Sequence, residues 1–231
     1  MITVYYAKVF PFLEEGTFFA HKDQIEEKRR QDIMGKKNEE AKARSLAAGV
    51  LLHASLCEYL NYPPENTPTF QTGCGQWGKP YLVDYPGIHF NLSHSGEYVC
   101  CAVGNQEVGV DVQKYQEVKD GLAQRFFPEE DNRILVGLDE KERKECFFRI
   151  WSIRESYIKF TGKGMREGLD SFGIDWKNQA ILNAEKKHIA HFEENRELIG
   201  YSMCVCGKEK ELHPRWIRME FGEGNCGEKK V

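Results

Sequence analysis

Two short stretches hold the side chains best suited to chemistry: EVGVDVQ at residues 107–113 and WSIRESYIKFTGKG at residues 151–164. In the first, extended-chain alternation sends Val108, Val110 and Val112 to one face and Gly109, Asp111 and Gln113 to the other. The valines read as core. The glycine beside Asp111 removes a side chain from the polar face, leaving room for a ligand or another backbone to approach. In the second stretch, Ser152, Glu155, Lys159 and Lys163 recur at three- and four-residue spacing, while Ile150, Ile153, Tyr157 and Phe160 mark an apolar side. A carboxylate and an ammonium placed this way could accept a proton and neutralise an anion. Equally, Glu155 and Lys159 could be a solvent-facing pair worth about 0.2–0.5 kcal/mol. Taken alone, Asp111 reads first as a solvated strand residue.

The elements that must position these groups follow from periodicity. Apolar residues at Ala43, Leu46, Ala47, Val50, Leu51, Ala54, Cys57 and Leu60 predict a core helix over 39–60, closed by Pro63 and Pro64. A second strong helix is predicted over 140–160, ending where Gly162-Lys163-Gly164 offers a left-handed C-cap. Shorter helices are expected at 118–125 and 129–136, and strands at 2–9 and 17–20. The stretches 87–95, 97–104 and 107–113 read as three adjacent strands of a meander. An irregular loop rich in Gly, Pro and Thr precedes them over 66–87 and contains Gly78-Lys79-Pro80. Strand-like segments DSFGIDW, HIAHFEE, IGYSMCVCG and RWIRMEF fill the last third. The sum is an α+β chain of two similar halves, each with helices on a small antiparallel sheet. The expected halves are 1–113 and 114–221, with a polar, glycine-rich, disordered tail at 222–231.

Composition excludes several functions. The 231-residue chain, 41% hydrophobic and 29% charged, suits a soluble globular protein with a sizeable core. It has no apolar run of membrane-spanning length, and its amino terminus lacks a signal-peptide pattern, so a cytoplasmic protein without membrane contact is expected. A net charge of −4 argues against nucleic acid as a partner. The eight cysteines form no CxxC pattern and read as reduced thiols. Cys204, Cys206, His213 and Cys226 could supply zinc ligands, but not at the usual two-knuckle spacing.

Three blocks together resemble the 4′-phosphopantetheinyl transferases of the surfactin-synthetase-activating (Sfp-like) type. They are GKPYL with HFNLSHSG (78–96), VGVDVQK (108–114) and FFRIWSIRESYIKFTGKG (147–164), and the resemblance spans about residues 25–175. It implies transfer of phosphopantetheine from coenzyme A to a serine of an acyl or peptidyl carrier protein, with Mg2+, by a pseudo-twofold monomer. It also implies a metal site of Asp111 and Glu155 at the seam between the halves, with Glu155 orienting or deprotonating the serine and Lys159 stabilising the leaving group. Lys28, Arg44, Ser93 and His94 are implied as phosphate contacts, and Lys79 and Pro80 as part of an adenine-side loop. The segment 21–44 supports this with eight Lys or Arg against six Asp or Glu, although such a run is also an ordinary solvated helix face. The resemblance further places carrier-protein contacts over 114–128, where Leu122, Phe126 and Phe127 lie beside Arg125; either phenylalanine could instead be core.

Two positions depart from the family pattern. Arg154 stands where a lysine usually precedes the glutamate, replacing a compact ammonium by a planar fork. Gln113 stands where a third acidic ligand is common, so it could reach a metal only as a neutral amide. A non-catalytic coenzyme A or carrier-binding module and a magnesium-dependent nucleotide pyrophosphate hydrolase are the competing readings.

Overall fold

The computed structural model describes residues 1–14, 16–222 and 225–230. In chain order, strand β1 (Ile2–Lys8) leads to α1 (Thr17–His21), α2 (Glu27–Gly35) and the long α3 (Glu39–Tyr59). The ribbon β2 (Thr72–Cys74) and β3 (Pro80–Leu82) precedes β4 (His89–Ser95), β5 (Tyr98–Gly104) and β6 (Val108–Lys114). Then come α4 (Leu122–Phe126), α5 (Glu129–Leu135) and the long α6 (Glu140–Thr161). Strands β7 (Gly173–Asp175), β8 (Ala180–Leu182), β9 (His188–Asn195), β10 (Tyr201–Gly207), β11 (Arg215–Gly222) and β12 (Asn225–Lys230) complete the described chain.

Both long helices begin and end as their sequences dictate. Asn38 caps α3 by accepting from the Ala41 N–H at 2.8 Å, and Asp139 caps α6 by accepting from the Glu142 N–H at 2.8 Å. Glu39 and Glu40 in one first turn, and Glu140 and Glu142 in the other, complement the helix dipole. Gly162 closes α6 at φ 70°, its N–H donating to the Ile158 carbonyl at 3.0 Å.

The strands form two five-stranded sheets, ordered β12-β11-β1-β5-β4 and β6-β10-β9-β8-β7, with β2-β3 apart. Ile2, Val4, Cys100 and Ala102 of the first sheet meet Val108, Val110, Val112, Met203 and Val205 of the second in one buried cluster. On the first sheet's other face, Tyr5, Val99, Cys101 and Val103 pack against Leu46, Val50 and Leu51 of α3. On the second sheet's other face, Phe192, Cys204 and Cys206 pack against Ile153 and Tyr157 of α6. The layers therefore run helix, sheet, sheet, helix, which is the expected α+β pair of halves.

The structure corrects several boundaries. Strand β6 does not complete a meander with β4 and β5. It pairs with β10, Asp111 opposite Cys204, so a division at 113 falls inside a strand of the second sheet. In return β11 pairs with β1, in parallel, so the carboxy-terminal strands belong to the first sheet. Residues 17–20 are helical rather than extended. Of the expected disordered tail, Asn225–Lys230 instead form a strand antiparallel to β11, while residues 223, 224 and 231 lie outside the described residues. Backbone pairing, which needs no apolar side chains, accounts for a strand of such polar composition.

Candidate active site

Strand β6 is buried on both faces, because α6 lies directly on its Gly109–Asp111 side. A Cβ on Gly109 would sit 2.0 Å from the Ser156 carbonyl oxygen and 2.3 Å from the Phe160 nitrogen. The glycine thus admits the helix backbone, one of the two approaches its position allowed. This contact brings Asp111, only 1% exposed, under the last turns of α6.

Every oxygen of that carboxylate is engaged. Oδ1 accepts from Lys159 Nζ at 2.6 Å and from Ser93 Oγ at 2.7 Å, and Oδ2 accepts from Gln113 Nε2 at 2.8 Å. Lys159 Nζ also donates to Ser93 Oγ at 2.9 Å. The solvated strand aspartate and the solvent-facing Glu155–Lys159 bridge are therefore both corrected: Lys159 pairs across the β6–α6 contact with Asp111 rather than along the helix with Glu155. Burial disfavours the Lys159 charge, but the charge and hydrogen bond of Asp111 outweigh it and hold the ammonium pKa above its usual value.

Glu155 stands beside this pair, half-buried, and among the described residues it has no hydrogen-bond or ion-pair partner. Burial first, then the Asp111 charge, raise its carboxyl pKa, and Lys159 opposes them. An underpartnered carboxylate with a raised pKa, next to a cation and a second carboxylate, is equipped for proton transfer and for sharing a cation.

The other predicted residues divide. Partial desolvation, then the charges of Arg44 and Lys159, lower the pKa of His94, so both cations act on this residue of β4. Arg44 meanwhile reaches Glu40 at 3.3 Å. Lys28 lies exposed on α2, with no hydrogen bond or ion pair among the described residues. Lys79 is tied down: its ammonium donates to the Phe160 carbonyl at 2.9 Å and the Val108 carbonyl at 3.1 Å, and pairs with Glu107. Its neighbour Pro80 begins β3. Lys79 thus joins the end of α6 to the start of β6, and its charge satisfies helix C-terminal carbonyls.

Arg154 points away from the site. It is fully buried, bonds Asp131 of α5 through both Nε, at 2.7 Å, and Nη2, and donates to the carbonyls of Leu169 and Phe172. The planar fork makes four hydrogen bonds to three acceptor oxygens, which a lysine's compact head would not match. Phe127 is core, packed with Leu135, Phe147 and Ile150, whereas Leu122 and Phe126 are half-buried at the edge of that cluster, with exposed Arg125 over the Phe126 ring. Of the possible zinc set, Cys204 and Cys206 are buried against α6 and exposed His213 pairs with Glu211, while the Cys226 side chain lies outside the described residues. Among the described residues no three His, Cys, Asp or Glu side chains cluster to hold a metal, and no helix is long and apolar enough to cross a membrane.

Sequence reasoning missed Asn91 and Ser95. Asn91 Oδ1 accepts from the Val110 N–H at 3.0 Å, Ser93 Oγ from the Val112 N–H at 3.4 Å, and Ser95 Oγ from the Lys114 N–H at 3.0 Å. The two-residue period of Asn, Ser and Ser in HFNLSHS was the available signal.

Comparison with known proteins agrees with this geometry. The family profile of the 4′-phosphopantetheinyl transferase superfamily matches residues 107–206, from β6 through β10. The chain is 34% identical over 209 residues to the 4′-phosphopantetheinyl transferase gsp of Aneurinibacillus migulanus, covering 89% of this chain and 86% of that one. It is 36% identical over 169 residues to the transferase psf-1 of Bacillus pumilus, covering 72% and 71%. It is also 36% identical over 140 residues to the transferase Sfp of Bacillus subtilis strain 168, covering 59% and 62%. With Asp111, Glu155 and Lys159 assembled within the matched span, the chain belongs to the 4′-phosphopantetheinyl transferase superfamily and is an enzyme that transfers the phosphopantetheine group onto carrier proteins.

Proposed function

We propose that the seam between β4, β6 and α6 is where this transfer occurs, with coenzyme A as donor and a carrier serine as acceptor. The observation that carries the reading is the buried Asp111 carboxylate held with Lys159 beside Glu155, which has no hydrogen-bond or ion-pair partner among the described residues. The serine hydroxyl oxygen attacks the β-phosphorus of the pyrophosphate. A new O–P bond forms, the bond to the bridging oxygen breaks, and adenosine 3′,5′-bisphosphate leaves with that electron pair. Glu155 receives the hydroxyl proton. Lys159 stabilises the charge gathering on the leaving phosphate, and Arg44 and His94, with Lys28 further out on α2, hold the 3′-phosphate end. Such phosphoryl transfers depend chiefly on positioning and charge neutralisation.

The residues present fit magnesium. This ion takes one or two protein carboxylates and completes its shell with phosphate oxygens and water. Asp111 and Glu155 form that pair, and the Asp111 charge already raises the Glu155 pKa, a repulsion a cation relieves. Bound there, magnesium would neutralise the pyrophosphate and help orient it. Gln113 acts on Asp111 as a donor and contributes at most its amide oxygen.

The carrier docks on α4, where half-buried Leu122 and Phe126 and exposed Arg125 stand beside a groove of about 460 Å³ bordered by Gly121, Leu135 and Phe147. The enzyme works as a cytoplasmic monomer with two pseudo-equivalent halves. The test is incubation with coenzyme A, magnesium and a panel of apo-carriers, read by intact mass. One phosphopantetheine on a carrier serine, lost in excess chelator, is expected. Release of free phosphopantetheine without any carrier would reassign the site to pyrophosphate hydrolysis, and undiminished transfer in chelator would remove the metal.

A further inference from the structure

Three donors of its own protein already hold the Asp111 carboxylate, and both sites of Oδ1 are taken. A carboxylate offers about four lone-pair sites. Lys159 and Ser93 take Oδ1 and Gln113 takes Oδ2, while the side chain is 2% exposed. An ammonium 2.6 Å from Oδ1 and a magnesium ion bound to the same oxygen would be like charges competing for one position. A buried carboxylate stripped of its cation is costly, so something must compensate Asp111 whenever no metal does. Lys159 is that compensation, and its side chain, 27% exposed, retains a path outward.

We infer that Lys159 is an internal cation that closes Asp111 to divalent metal in the free enzyme and yields it only when the donor's phosphates arrive. The inference rests on the assignment of Asp111 and Glu155 to the metal. The four-carbon stem lets the ammonium move without moving the helix. Its destination is the incoming phosphate: Ser93, which already accepts from the ammonium at 2.9 Å, lies on β4 next to His94, a residue within reach of the charges of both Lys159 and Arg44. A phosphate arriving there would draw Lys159 off Oδ1 and vacate the oxygen. Ser93 keeps its bond to Asp111 throughout and holds the carboxylate in place. Metal and coenzyme A then bind cooperatively, and by linkage each tightens the other by the same factor. Lys159 is thus given a role before chemistry as well as during it, and the order of binding is set by one side chain.

The experiment is Mn2+ binding, read from the electron paramagnetic resonance signal of the unbound ion, with and without coenzyme A. The parent should bind Mn2+ weakly alone and about tenfold or more tightly with coenzyme A, within the usual range of coupling. Lys159→Met should bind Mn2+ without coenzyme A about tenfold more tightly than the parent, because the competitor is gone. Lys159→Gln, which can keep a hydrogen bond to Asp111 without the charge, should do the same if the Met variant does not fold. Lys159→Arg should stay closed. Equal Mn2+ affinity of the parent with and without coenzyme A, or neutral variants that bind no more tightly than the parent, would overturn the inference while leaving the metal assignment standing. Absence of Mn2+ binding in every form, coenzyme A included, would instead remove the metal assignment and the inference with it.

Discussion

Replacing Gly109 by alanine tests whether the contact between β6 and α6 is what aligns the site. The added methyl would lie 2.0 Å from the Ser156 carbonyl oxygen, 2.3 Å from the Phe160 nitrogen and 2.8 Å from the Phe160 Cα. All three are backbone atoms, so no side-chain rotation relieves the overlap. Restoring an ordinary contact of 3.4 Å requires strand and helix to part by about 1.4 Å. The helix is fixed on its far side by Arg154 and at its end by Lys79, so the separation is resisted rather than absorbed. Overpacking of this kind costs about 1–3 kcal/mol and occasionally more, and since all the clashes are with backbone the upper end is expected. For a chain of this length that is about 6–12 °C in melting temperature at 3 kcal/mol. The same displacement carries Lys159 and Glu155 away from Asp111, and an error of about 1 Å between reacting groups can cost about 100-fold in rate. The assays are thermal denaturation and initial rate of carrier modification at saturating coenzyme A, well below the melting temperature. Gly35→Ala is the control, since a Cβ there meets nothing within 4 Å. A Gly109→Ala protein with parental melting temperature and parental rate would refute the argument that this close approach builds the site.

Three further outcomes are expected. Arg154→Met should destabilise the fold by about 3–5 kcal/mol, because it leaves Asp131 buried and uncompensated, while turnover per folded molecule stays near parental; denaturant titration and active-fraction rates separate the two. Glu155→Gln should slow transfer by about 100-fold or more, and the parent's kcat/KM should fall with decreasing pH through a value above the usual 4.5, since the proton-accepting carboxylate must be ionised. In the metal-free protein the raised pKa has the opposite consequence for stability: the folded state holds the proton more tightly, so stability declines as pH rises from 4.5 through the folded value, and Glu155→Gln should flatten that decline. Gln113→Ala should raise the half-maximal magnesium concentration mildly and Gln113→Glu should lower it, whereas Asp111→Ala should nearly abolish activity; equal damage from Gln113→Ala and Asp111→Ala would make the glutamine an essential ligand.

Local rules carried the sequence reading a long way. The stripes of α3 and α6, the C-cap at Gly162 and the apolar valine face of β6 are all short-range patterns, and the structure follows them. What local rules could not supply was the partner of each group. Helical spacing pairs Glu155 with Lys159, but Asp111 comes from β6, the strand beneath the helix, and offers a buried, stronger attraction. Adjacent strands suggest a meander, yet β6 pairs with β10, nearly a hundred residues later in the chain. Lys79 is implied in an adenine-side loop and Arg154 stands next to the glutamate in place of a lysine, yet their ammonium and guanidinium groups are occupied by backbone carbonyls and, for Arg154, the buried Asp131 carboxylate. In each case the deciding contact is long-range, and pattern alone does not encode it.

The seam itself shows how a site can be held between two separately paired sheets. Strands β4 and β6 are edge strands of different sheets, so the outward N–H groups of β6 need acceptors from somewhere. Asn91, Ser93 and Ser95 supply them at Val110, Val112 and Lys114, a ladder of side chains in place of a backbone ladder. The rungs are side chains rather than backbone groups, so the two strands stand apart by a side chain and do not close into one sheet. Ser93 is the rung that faces the chemistry, for its hydroxyl also donates to Asp111 and accepts from Lys159. The register of β6 against β4 and the aim of the Asp111 carboxylate are consequently one constraint, because a slip along the ladder would move Ser93 off Asp111 as well as off Val112. The exchange of β6 and β11 between the halves reinforces it, since neither sheet can rotate without breaking strands contributed by the other half of the chain.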